Sequence, residues 1–86
     1  LTWHPVIGDP HKAFLGLGLG PGDGVGVVGK GIYKRATERQ VVRLTVIKYS
    51  GLGVLGRDES GAARRVRWYR VVSYEKRPPQ QPLAKS

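Results

Sequence analysis

Eighty-six residues suffice for one small domain, and thirteen glycines and six prolines thin the core it can build. Fifteen Lys and Arg against six Asp and Glu leave a net charge of +9 and a pI near 10.5, which points to a polyanionic partner. The absence of cysteine excludes disulfides, thiolate zinc sites and cysteine nucleophiles, and no apolar run approaches the roughly 20 residues that span a bilayer. The charge is uneven: residues 1–29 carry −1, residues 30–77 carry +9 and residues 78–86 carry +1. Basic character therefore belongs to the folding part of the chain and not to a solvated tail. With no methionine and Leu1 in first place, a segment is expected to have been removed ahead of it.

Leu1 to Lys12 reads as an irregular lead-in, because Pro5 and Pro10 hold the residues before them extended. Trp3 is expected to pack against this domain or a neighbour. His4 and His11 read as surface or packing histidines, since no third ligand stands at a metal-binding spacing.

Phe14 to Gly31 is rich in glycine. Within it, Gly24-Val25-Gly26-Val27-Val28-Gly29 spells the dinucleotide fingerprint G-x-G-x-x-G. That motif needs a helix after its glycines and an acidic residue about 20 positions later. Lys30-Gly31-Ile32-Tyr33 is poor helix chemistry and residues 44–50 hold no carboxylate, so the match is rejected. Leu15, Leu17 and Leu19 alternate with Gly16, Gly18 and Gly20, which predicts a strand with one bare face that a ring or a backbone can approach. The alternative is a flexible glycine loop. Pro21-Gly22-Asp23-Gly24 predicts a turn, and Val25 to Val28 a short strand.

Ile32 to Arg35 reads as another short strand. Thr37 to Gln40 has capping-box spacing, but Val41 to Tyr49 follows with five β-branched residues in nine, and Val42, Leu44 and Val46 alternate with Arg43 and Thr45. A strand is predicted there, with Ser50 to Gly56 as its bent or bulged extension. Arg57 to Gly61 is a polar turn in which Asp58 and Glu59 supply solubility and no acid–base chemistry. Residues 41–56 and 62–75 are thus expected to pair antiparallel.

Ala63 to Arg77 reads as one long strand, uninterrupted by Gly or Pro. Alternation puts Arg65, Arg67, Tyr69, Val71 and Ser73 on one face and Val66, Trp68, Arg70, Val72 and Tyr74 on the other. The second face is predicted to pack inward against Val42, Leu44 and Val46. Arg70 must then reach the rim or pair with Glu38 or Glu75. The first face combines cations with an aromatic ring, a set suited to phosphates and bases. The plainer account is an edge strand kept soluble by its arginines. Pro78, Pro79 and Pro82 make the end an extended, polyproline-like tail.

The fold expected is all-β: about five short strands in a small twisted barrel or rolled antiparallel sheet of SH3-like or OB-like size. Residues 1–13 form the lead-in, 14–77 the domain and 78–86 the Pro-rich tail. No catalytic constellation emerges, so the chain is read as a binding protein with neither cofactor nor metal. The expected role is a structural RNA-binding component of a ribonucleoprotein, with rRNA in an organellar ribosome of the mitochondrial or plastid matrix as the leading case. Its contacts would be Lys30, Lys34, Arg35, Arg39, Arg43, Lys48, Arg64, Arg65, Arg67, Tyr69, Lys76 and Arg77, with Tyr33 a second stacking ring. The alternatives are a supernumerary subunit of a large protein complex, its ends laid on neighbours, and a viral or chromatin DNA-binding module.

Overall fold

The computed structural model describes residues 2–29 and 40–78. These form one antiparallel sheet: β1 (His4–Pro5), β2 (Gly24–Val28), β3 (Val41–Tyr49), β4 (Gly53–Arg57), β5 (Ala63–Arg67) and β6 (Val71–Glu75). The strand order is β1-β6-β2-β3-β4-β5, so the sheet stays open, with β1 and β5 at its edges. A short helix, α1 (Pro10–Gly16), packs beside it. The all-β rolled sheet expected from the sequence is thus what the chain forms, and of barrel and sheet it is the sheet.

Val25 and Val27 of β2 stand opposite Leu44 and Val42 of β3. Val25, Val27, Leu44, Val46, Val54, Val66 and Val71 from the inner face of the sheet are buried with Phe14, Leu19 and Trp68. The other face of β2 begins with Gly24 and Gly26, and that is where close approach occurs. A Cβ on Gly24 would lie 2.8 Å from the Trp3 ring and 2.9 Å from the Arg77 guanidinium, and one on Gly26 would run into the Ser73 hydroxyl. Trp3 therefore packs on this domain, with Arg43 over its ring at 4.8 Å.

The long strand expected over 63–77 is broken. Trp68–Arg70 form a 3₁₀ turn closed by the Val71 N–H on the Trp68 carbonyl. β5 pairs with β4, whereas β6 pairs with β2 and β1. Tertiary packing overrides the strand preference of these residues. The Trp68 indole N–H donates to the Ser50 carbonyl at 2.8 Å, and its ring meets His11 at 4.7 Å and Phe14 at 5.2 Å. The turn also shifts the alternation, so Val71 is buried in place of Val72. Val72 is the extra residue of a bulge, between Val71 opposite Val27 and Ser73 opposite Gly26. Tyr74, opposite Val25, restores the expected phase.

The Leu/Gly strand expected over residues 15–20 is instead the end of α1 and the turn after it. The Asp9 carboxylate caps the helix, accepting from the backbone N–H of His11 at 2.9 Å and of Lys12 at 3.1 Å. Pro10 follows at the first helical position, where its fixed φ fits and its missing N–H costs nothing. Gly18, at φ +69°, ends the helix in a conformation that favours glycine. Phe14 and Leu19 are buried while Leu15 and Leu17 face outward. The irregular lead-in thus holds a strand and a helix start.

Residues 41–56 are two strands, not one bent strand. Ser50 N–H donates to the Gly53 carbonyl at 2.9 Å and Leu52 N–H to the Ser50 hydroxyl at 3.2 Å, closing a tight turn. The fold-back through Asp58–Gly61 joins β4 to β5 as expected. Asp58, however, is buried and holds that turn together. Its carboxylate accepts from Ser60 N–H at 2.9 Å, Ser60 Oγ at 2.6 Å, Ala62 N–H at 3.0 Å and Arg64 Nε at 3.2 Å.

Candidate nucleic-acid interface

Directly opposed residues in antiparallel strands share a face, and the registers of β3, β4 and β5 lay out their outer surface. Lys48, Leu55 and Arg65 form one cross-strand row, Gly53 and Arg67 the next, and Thr45, Arg57 and Ala63 lie on the other side. Lys48 reaches this face because β3 carries a bulge between Val46 and Lys48. Without it, Lys48 would share the inward phase of Val42, Leu44 and Val46. Gly53 leaves a gap in the surface beside Arg67. A Cβ there would run into the Val66 carbonyl, so β4 and β5 approach closely only with glycine at this position.

The result is an open groove of about 540 Å³ lined by Lys48, Arg65 and Arg67 together with Tyr49, Leu52 and Leu55. The three cations are exposed, and none has a carboxylate partner among the described residues. Two strand spacings separate the Lys48 and Arg65 backbones, roughly 10 Å. At that range in water two like charges repel by only about 0.4 kcal/mol, so the cluster is tolerated, and an anion placed between them is attracted by both. Along β5, Arg65 and Arg67 are two residues apart, roughly 6.7 Å, close to the separation of neighbouring phosphates in a nucleotide strand.

The other expected contacts are placed differently. Arg64 pairs with Asp58 at 3.2 Å. Lys76 donates to the Gly18 carbonyl at 2.8 Å and lies 3.4 Å from Asp23. Arg77 pairs with Glu75 at 2.7 Å, donates to Thr45 Oγ1 at 2.7 Å, and sends its backbone N–H to Asp23 at 2.8 Å. Arg77 takes the Glu75 carboxylate, while Arg70 donates to the Val28 carbonyl at 3.4 Å. These cations tie the end of β6 to the turn before β2 and to β3. Arg43 covers Trp3, and Tyr69 stands 73% exposed on the 3₁₀ turn with the Arg70 guanidinium 5.7 Å from its ring centre. Lys30, Tyr33, Lys34, Arg35 and Arg39 lie outside the described residues, as do the strand at Ile32–Arg35 and the tail from Pro79.

Comparison with models of known families, with curated proteins and with solved structures finds no match. The groove itself is therefore the ground for a functional reading. Arg57, on this face, and Leu52, at its rim, were not among the expected contacts, whereas Tyr49 stands opposite Val54 with its ring turned to Phe14 on the core face. Arg57 donates to the Gly61 carbonyl at 3.0 Å, across the β4–β5 turn. Its place in the alternation of β4 is the signal that marks it. The histidines serve packing: His11 stacks on Trp68, and His4 lies 5.4 Å from the Tyr74 ring. Among the described residues no helix is long and apolar enough to cross a membrane.

Proposed function

We propose that this chain is an RNA-binding component of a ribonucleoprotein, holding the phosphate backbone across the outer face of β3, β4 and β5. The observation that carries this reading is the convergence of Lys48, Arg65 and Arg67 on one open groove with no carboxylate between them among the described residues. Arg64, Lys76 and Arg77, by contrast, are engaged by carboxylates of the fold. Charges left unneutralised on one surface act on a polyanion through counterion release, a mechanism tolerant of sequence. Tyr69 adds an exposed ring next to Arg70 on the 3₁₀ turn that joins β5 to β6.

Fluorescence anisotropy of a labelled RNA across a salt series tests this. Affinity should fall steeply with salt. Each phosphate contact removed by Arg65→Gln or Arg67→Gln should lower the log–log slope by roughly 0.7 for a single strand or 0.9 for a duplex. A salt-independent affinity, or a double variant with an unchanged slope, would overturn the proposal. Tighter capture of an acidic polypeptide than of RNA would assign the groove to a protein partner.

A further inference from the structure

The groove is one end of a longer feature of the outer face. Beyond the row of Lys48, Leu55 and Arg65, Arg57 stands on β4 between Thr45 and Ala63. Arg43 stands on β3 two residues before Thr45, opposite Gly26. Arg67, Arg65, Arg57 and Arg43 therefore follow a diagonal across the sheet, from β5 through β4 to β3. All four are exposed, and none pairs with a carboxylate among the described residues. Successive backbones on this line are roughly 6.7 Å apart within β5 and roughly 8 Å apart where the step also crosses to the next strand. Off the line the positions are uncharged, as at Gly53, Leu55, Thr45 and Ala63, with Lys48 flanking it. Toward β6 the surplus ends, because Arg77 is held by Glu75. Arginines on an edge strand are explained by protection against wrong pairing. Arg57 and Arg43 stand on interior strands, where both edges are already paired, so that account leaves them unexplained.

We infer that this diagonal is the track of one RNA strand, with four consecutive phosphates on Arg67, Arg65, Arg57 and Arg43. This rests on the phosphate-binding reading above and extends it from the groove to the whole outer face. Neighbouring cations on the line lie about one phosphate spacing apart, and each guanidinium fork can hold phosphate oxygens in pairs. Lys48 adds charge beside the Arg65 position. At the far end Glu59 is exposed and shares a groove with Arg43, so its carboxylate opposes the last phosphate.

The test is anisotropy of labelled oligouridylates of about two to eight nucleotides, each across a salt series. Affinity should climb steeply up to roughly five nucleotides, which carry four bridging phosphates, and more slowly beyond, where added length only multiplies the registers available. Arg57→Gln and Arg43→Gln should each lower the log–log salt slope by roughly 0.7, as Arg65→Gln does, while Arg57→Lys keeps the charge and the slope. Lys12→Gln removes the same charge from α1, which packs on the core face, and should leave the slope unchanged. Glu59→Gln leaves the arginines in place and should tighten binding about twofold, so the Arg43 end is tested even if Arg43→Gln disturbs the Trp3 contact. If Arg65→Gln and Arg67→Gln lower the slope while Arg57→Gln and Glu59→Gln change nothing, the diagonal is refuted and the groove reading stands. An equal effect of Lys12→Gln would make net charge the cause and refute the diagonal too. Absence of salt-dependent binding at every length overturns the phosphate-binding reading beneath it.

Discussion

Val71 and Val72 are adjacent valines whose replacement by alanine should have very unequal consequences for stability. Val71 is 4% exposed opposite Val27, inside a cluster with Val25, Leu44 and Trp68, whereas Val72 is 37% exposed on a bulge. Val71→Ala removes two buried methyl groups, worth about 1.6 kcal/mol in transfer at 0.8 kcal/mol each. The cavity left in a packed core brings the total to about 2–3 kcal/mol. For a domain of this size, whose whole stability is on the order of 4–13 kcal/mol, that loss lowers Tm by roughly 10–20 °C. Val72→Ala should cost less than about 1 kcal/mol, since its methyl groups are already partly hydrated. Thermal and urea unfolding of both variants, followed by circular dichroism, measure the difference. Should Val72→Ala be the more destabilising, the break at Trp68–Arg70 and the bulge after it are absent and the strand runs straight through.

Gly26→Ala places a methyl group on the Ser73 hydroxyl and 3.0 Å from Val41, so it should destabilise by about 1–3 kcal/mol. Adding Ser73→Gly should recover part of that loss in a double-mutant cycle, and strict additivity of the two changes would contradict the contact. The Asp9 carboxyl is held below its ordinary value of 3.8, first by the Lys12 backbone N–H, then by that of His11 and by the Lys12 charge, with desolvation opposing. A lowered folded-state value stabilises the helix above pH 3.8, and that contribution is lost as pH falls through the folded value. The His11 and Lys12 amide resonances should therefore shift together in acid, and an Asp9 titration at or above the ordinary value would exclude the cap.

Local patterns in the sequence decided much of this fold. The β-branched alternation of Val41 to Tyr49 made β3, Pro21-Gly22-Asp23-Gly24 made the turn into β2, and Asp58 to Gly61 turned β4 into β5. Asp9-Pro10 also carried a helix signal in plain sight, and the Leu/Gly alternation after it pointed the other way; capping and the burial of Phe14 won. Other features belong to the tertiary structure alone. Lys48 has the inward phase by sequence and faces outward only because β3 bulges at its pairing with β4. Trp68 breaks a chain of good strand formers because its indole finds Ser50, His11 and Phe14, which are distant in sequence. Which arginines are free for a ligand was decided the same way. Asp23 takes the Arg77 backbone N–H and the Lys76 ammonium from more than fifty positions away, while Arg65 and Arg67 meet no carboxylate among the described residues. Composition records the total charge of a chain. Long-range pairing decides how much of it is left on the surface, because a carboxylate neutralises the cation that the fold brings to it.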